Sequence, residues 1–163
     1  MKKIIIVIAA IFFTANIFAQ EAKLYNPAAD AEKDIAAAVK QAKAEHKHVL
    51  IMVGGNWCSW CIEFARFAKA DAKIDSVINS AFVWYHLNYS KENMNEKILA
   101  SYGFPQRFGF PVFLILNEKG ERINTQNSEY LEDGKKSYNP TKVKEFLEAW
   151  SPKALDPKEY EKR

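Results

Sequence analysis

Cysteine is almost missing from this chain: there are two in 163 residues, and both lie within one four-residue stretch. A small fold held by several disulfides is therefore excluded, and apolar packing has to supply the stability. Glycine and proline number six each, too few for a collagenous or low-complexity chain. The three histidines and three methionines are scattered, so no metal-binding tract rich in either occurs. Charge is nearly balanced at a formal +3, which gives no reason to expect a nucleic-acid or polyanion partner. No internal repeat and no interdomain linker interrupts the chain.

Long apolar runs are also lacking. The longest, Ile4 to Phe13, has ten residues, short of the roughly 18 to 20 that span a bilayer. It follows Lys2 and Lys3 and leads through Thr14-Ala15-Asn16-Ile17-Phe18-Ala19 to a small residue before Gln20. A basic start, a short apolar stretch and a small residue at the cut are the features of a cleaved export signal. Residues 1–19 are expected to be such a leader and the mature protein to be exported to the periplasm, although Ile17 stands where alanine is commoner. No cysteine follows the run, which argues against a lipid anchor.

The remainder has the length of one domain with a proper core. Asn26-Pro27 reads as a turn into a helix from about Asp30 to Glu45, with Ile35, Ala38, Val39 and Ala42 on one face. His48 to Val53 is a continuous apolar run followed by Gly54-Gly55, the pattern of a strand buried on both faces. Helical spacing returns from Cys58 to about Lys69, and a shorter helical stretch covers Ile74 to Asn79. Phe82 to Asn88 reads as the next strand and Glu92 to Tyr102 as the next helix. Crossovers of this length imply a parallel strand pair with a right-handed connection. Pro111 to Leu116 is a strand, Asn117 to Gly120 a turn, and Glu121 to Gln126 can pair back antiparallel. Asn127 to Asn139 reads as a polar loop. Asn139 then caps a final helix whose first residue is Pro140, with Val143, Phe146, Leu147 and Trp150 on one face and Pro152 ending it. The last residues, from Lys158, look like a solvated tail.

What is present is concentrated in Trp57-Cys58-Ser59-Trp60-Cys61. Two cysteines separated by two residues at the start of a helix bring both sulfurs within one turn, where a bridge closes without moving the backbone. The first sulfur meets the unpaired N–H groups and the positive end of the helix dipole, which favour its thiolate. Thiolate is the attacking form in disulfide exchange, so the spacing points to redox chemistry. Other readings stand beside it. Half a zinc site needs two more ligands, and no histidine lies at the usual spacing. Cys-x-x-Cys-His haem attachment is absent because Ile62 follows Cys61. An inert staple at the helix start remains open, as does a non-catalytic module whose dithiol holds a client or copper(I). Gly54-Gly55 is not a phosphate loop, since no Gly-Lys-Ser/Thr follows.

The order helix, strand, Cys-x-x-Cys helix, strand, helix, strand, strand, helix resembles the thioredoxin fold, an α/β architecture with a central mixed sheet flanked by helices. Trp57-Cys58-Ser59-Trp60-Cys61 and Phe110-Pro111 carry the likeness. More narrowly, it is similar to exported thioredoxin-like proteins with a Trp-Cys-x-Trp-Cys site, related to the soluble domains of periplasmic thiol:disulfide interchange proteins. It covers roughly residues 27–150, leaving 151–163 as a charged tail. The resemblance implies that Cys58 attacks and Cys61 resolves, and that the Phe110–Pro111 peptide is cis and faces the dithiol. It further implies a thiol–disulfide oxidoreductase acting on protein disulfides or dithiols, as a reductase fed by a membrane-bound electron donor. A monomer without bound cofactor is expected, and no metal site. Trp57 and Trp60 flank the sulfurs and are candidates for substrate docking with Phe110 and Pro111; either tryptophan could equally be a packing residue. The family often buries an acid beneath the resolving cysteine, but the matching position is Met52, which accepts no proton. On the neighbouring strand the usual lysine is replaced by His86, which is either structural or a proton relay with a pKa in the working range.

Overall fold

The computed structural model describes residues 23–161; the expected leader at residues 1–19 lies outside the described residues. Helix α1 spans Ala31–Glu45 and starts where Asp30 accepts a hydrogen bond from the Lys33 backbone N–H, the capping that short acidic side chains provide. Strand β1, His48–Gly54, is buried along its whole length, as a continuous apolar run demands. Helix α2 spans Ser59–Ala70 and helix α3 spans Ala72–Ala81. Asp71 separates them, its carboxylate accepting from the Lys73 and Ile74 N–H groups. Strand β2, Phe82–Asn88, is followed by a loop and the short helix α4, Glu96–Ser101. Strands β3, Val112–Leu116, and β4, Arg122–Asn127, form a hairpin ahead of helix α5, Pro140–Ala149.

The sheet order is β2-β1-β3-β4. β1 runs parallel to β2 and antiparallel to β3, and β4 returns antiparallel to β3. The mixed sheet expected from the sequence is therefore present, with the parallel β1–β2 pair joined through α2 and α3. Because side chains alternate along a strand, β1 feeds two cores. Leu50 and Met52 join α2, α3 and α5 residues on one face, including Phe64, Ile74, Ile78, Val143 and Leu147. Val49, Ile51 and Val53 join Ile35, Ala38 and Ala42 of α1 and Leu99 of α4 on the other.

Three expectations change on contact with the structure. The helix expected over Glu92 to Tyr102 begins only at Glu96. Asparagines hold the preceding residues as a loop: Asn88 Nδ2 donates to the Asn93 carbonyl at 2.9 Å, Asn95 Nδ2 to the Asn88 carbonyl at 2.7 Å, and Asn93 Nδ2 to the Pro27 carbonyl at 3.1 Å. Such local side-chain bonds compete with helix formation. The loop expected over Asn127 to Asn139 contains a 3-10 turn at Ser128–Leu131 and buries Leu131 and Tyr138 beneath α2. The packed body also begins before Pro27, since Leu24 packs on the core and Tyr25 is wholly buried within it.

Candidate active site

The Cys58-Cys61 pair sits where β1 gives way to α2. Cys58 is the N-cap of α2, in extended conformation, and its Sγ accepts the Cys61 backbone N–H at 3.1 Å. The two cysteines form a disulfide with Cα atoms 5.2 Å apart. Cys58 is 5% exposed and Cys61 is sealed in the core. The asymmetry comes from the helix. The capping residue stays at the rim, while the residue three positions on turns inward onto Leu50, Met52 and Phe64.

The loop ahead of Cys58 is pinned on both sides. Asn56 Oδ1 accepts the Tyr25 N–H at 3.0 Å, and Asn56 Nδ2 donates to the Tyr25 carbonyl at 2.8 Å. Trp57 Nε1 donates to the Tyr89 carbonyl at 2.7 Å, laying the indole across Gly55. A Cβ on Gly55 would meet Trp57 Nε1 at 2.4 Å and the Tyr89 carbonyl at 2.7 Å, so only glycine fits beneath the ring. Trp57 nonetheless remains 58% exposed.

The last rung between β1 and β3 pairs Val53 with Val112. Beyond it Pro111 leaves the sheet beside Gly54, and the Phe110–Pro111 peptide is cis, as the resemblance implies. Pro111 is buried and Phe110 half-buried. The Phe110 ring meets Trp57 edge-on at 5.3 Å and stacks on Tyr89 at 4.9 Å. Trp57, Tyr89 and Phe110 thus form one aromatic surface next to the sulfurs, in the edge-to-face and stacked arrangements that aromatic rings favour.

Trp60 behaves differently from Trp57. It is half-buried, and its ring packs edge-on against Tyr138 at 5.5 Å, while Tyr138 Oη donates to the Trp60 carbonyl at 3.1 Å. His86 lies opposite Met52 in the β1–β2 register. Its ring is wedged between Trp84 at 4.8 Å and Tyr25 at 5.7 Å, and Nε2 has no hydrogen-bond partner among the described residues. Burial, with a lesser contribution from the positive charge of Lys69, pushes its pKa down to about 4. His86 is therefore neutral near pH 7, below the working range that its residue type suggests. Sequence reasoning missed Tyr25, Asn56 and Tyr89. Asn56 stands immediately ahead of the motif; Tyr25 and Tyr89 carried no periodic signal.

A disulfide at the head of a helix, on a mixed sheet and beside a cis proline, is the arrangement of a thioredoxin-type dithiol protein. A family model described as thioredoxin-like matches residues 30–118, more than half of the chain. The chain belongs to the thioredoxin-like family. Among solved structures it is similar to a disulphide isomerase from Xylella fastidiosa Temecula1, with TM-score 0.68 and 23% identity over 78% of this chain and 96% of that one. It is also similar to the C-terminal domain of DsbD from Neisseria meningitidis in its oxidised form, with TM-score 0.55 and 18% identity over 75% of this chain and 97% of that one. At these identities the likeness is one of fold. No curated protein matches the chain.

Proposed function

We propose that the protein is an exported thiol–disulfide oxidoreductase that reduces disulfides in other proteins. One observation carries the reading: a rim cysteine capping a helix, bonded to a second cysteine sealed beneath it. In the reduced protein the Cys58 thiolate attacks a substrate disulfide, forming a mixed disulfide and expelling one substrate thiolate. Cys61, as thiolate, then attacks Cys58 Sγ; the mixed disulfide breaks, the second substrate thiolate leaves, and the Cys58–Cys61 disulfide re-forms. Two electrons pass to the substrate, whose thiolates take up two protons. A dithiol donor restores the pair by the reverse steps.

Trp57, Phe110 and Pro111 form the docking surface for the chain around the target disulfide, with Trp60 at its far edge. His86, neutral and half-buried, acts only through its neighbours. Export to the periplasm and a membrane-bound donor rest on the N-terminal pattern and on the resemblance to domains of thiol:disulfide interchange proteins. On the same footing, residues 1–19 are the leader and 151–163 the tail, with the domain between them, and the protein works as a monomer.

Titration of the Cys58–Cys61 pair against reduced and oxidised glutathione tests the reading. A reversible two-electron equilibrium, with catalysed reduction of a protein disulfide, is expected. A disulfide that stays closed under strongly reducing conditions in the folded protein would make it a staple.

A further inference from the structure

Beneath the disulfide lies a polar group that the exchange steps above do not use. Tyr25 is fully buried, and its hydroxyl has no hydrogen-bond partner among the described residues. Leaving a hydroxyl unpaired in a core is destabilising, so its position calls for a reason. The hydroxyl and the inner sulfur converge on one point of the backbone. A Cβ on Gly54 would lie 2.3 Å from Cys61 Sγ and 2.8 Å from Tyr25 Oη. Glycine at this place lets both atoms close over the strand end. The two hydrogen bonds between the Tyr25 backbone and Asn56 tie the tyrosine to the loop that leads into Cys58.

The oxidised state offers this hydroxyl little, because a disulfide sulfur is a weak acceptor. A thiolate is a strong one. Opening the disulfide creates an acceptor at Cys61 Sγ, which shares the Gly54 strand end with the hydroxyl. Met52, below, contributes no acceptor or donor of a proton, and the neighbouring His86 presents a neutral imidazole to the tyrosine ring. The other groups acting on this cluster are the Tyr138 phenol, also buried, and Lys69 of α2, which faces His86. Among the described residues no carboxylate side chain is buried.

We propose that Tyr25 is a catalytic residue of the dithiol, donating a hydrogen bond from its hydroxyl to the Cys61 thiolate. The proposal rests on the oxidoreductase reading above and adds a residue to it. When a donor thiolate attacks Cys58 Sγ, the S–S bond breaks and its electron pair leaves on Cys61 Sγ, where the Tyr25 O–H receives it. In the reverse direction the same bond keeps Cys61 ionised for its attack on the mixed disulfide. Tyr25 keeps its proton throughout. Burial drives the phenol pKa upward, which suits a donor and excludes a base.

Tyr25→Phe removes the oxygen and leaves the ring. Hydrogen bonds to charged groups are worth enough to move an equilibrium about tenfold or more. Measured at a pH where both thiols of the reduced pair are ionised, the reduction equilibrium of Tyr25→Phe with glutathione should therefore fall about tenfold relative to wild type, towards the disulfide. In a Cys58→Ser background, the Cys61 pKa, read from thiolate absorbance, should rise by about one unit on adding Tyr25→Phe. Thermal melting of oxidised Tyr25→Phe should match or exceed wild type, since an unpaired buried hydroxyl has gone. A packing role alone would leave both the equilibrium and the Cys61 pKa unchanged, and that result overturns the proposal. Failure of the wild-type pair to exchange with glutathione would instead remove the oxidoreductase reading, and the Cys58→Ser titration would still decide the contact between Tyr25 and Cys61.

Discussion

Each cysteine owes its character to its position along one turn of helix. Cys58 terminates the chain's extended approach and accepts a backbone N–H, so its thiolate is stabilised by the free groups of the α2 N-terminus. Cys61 has no exposed surface. Iodoacetamide at neutral pH should therefore label Cys58 of the reduced protein first, by tenfold or more in rate, on the order expected for a thiol pKa lowered by one unit or more. Peptide mapping reads the result, and faster labelling of Cys61 would exchange the assigned roles. The sequence alone displayed both cysteines and Phe110-Pro111, because their chemistry is local and their spacing is fixed. Tyr25 was illegible at this scale. It lies far upstream of the motif, its neighbours show no helical or alternating pattern, and its contact with the dithiol loop exists only after folding.

Among the elements, β1 was the most legible, since an apolar run bounded by Gly54-Gly55 admits few alternatives in a fold of this size. β2 matched from Phe82 to Asn88, the helix expected from about Asp30 begins at Ala31, and the helix expected after the Asn139 cap begins at Pro140. The failures lay where side chains compete with the backbone. Asn88, Asn93 and Asn95 bond to backbone atoms and unwind the expected start of α4. That loop delivers the Tyr89 carbonyl that orients Trp57. The break between α2 and α3 has a testable origin. Asp71 caps α3 through Lys73 and Ile74 at 2.9 and 3.2 Å. Asp71→Ala should cost about 1 kcal/mol in denaturant unfolding and leave the dithiol potential unchanged. A shifted potential would couple the cap to the site, contrary to its separation from the sulfurs along α2.

At the scale of the whole molecule, the site is the meeting point of the two core faces, and its stability carries a pH signature. His86 has a folded pKa near 4 against an ordinary value of 6.5. Between these values the unfolded chain binds a proton that the folded protein refuses, so stability rises with pH across the interval. The contribution is fully present above pH 6.5 and lost as pH falls towards 4, by on the order of 2 kcal/mol. His86→Phe should flatten unfolding free energy measured between those pH values; an unchanged slope would assign it to other groups. The overall architecture was readable from element order, because short crossovers leave few ways to arrange a sheet. The aromatic surface of Trp57, Tyr89 and Phe110 was not, since it draws on three segments brought together by β1, β2 and β3.

The proposed reaction requires Cys58 to attack and Cys61 to resolve. Cys61→Ser should arrest the reaction at the mixed disulfide, because no second sulfur remains to release it. Incubated in reduced form with a disulfide-containing protein, this variant should accumulate a covalent adduct that dithiothreitol dissolves, whereas Cys58→Ser should accumulate little. Adducts on neither variant, or on Cys58→Ser alone, would contradict the account.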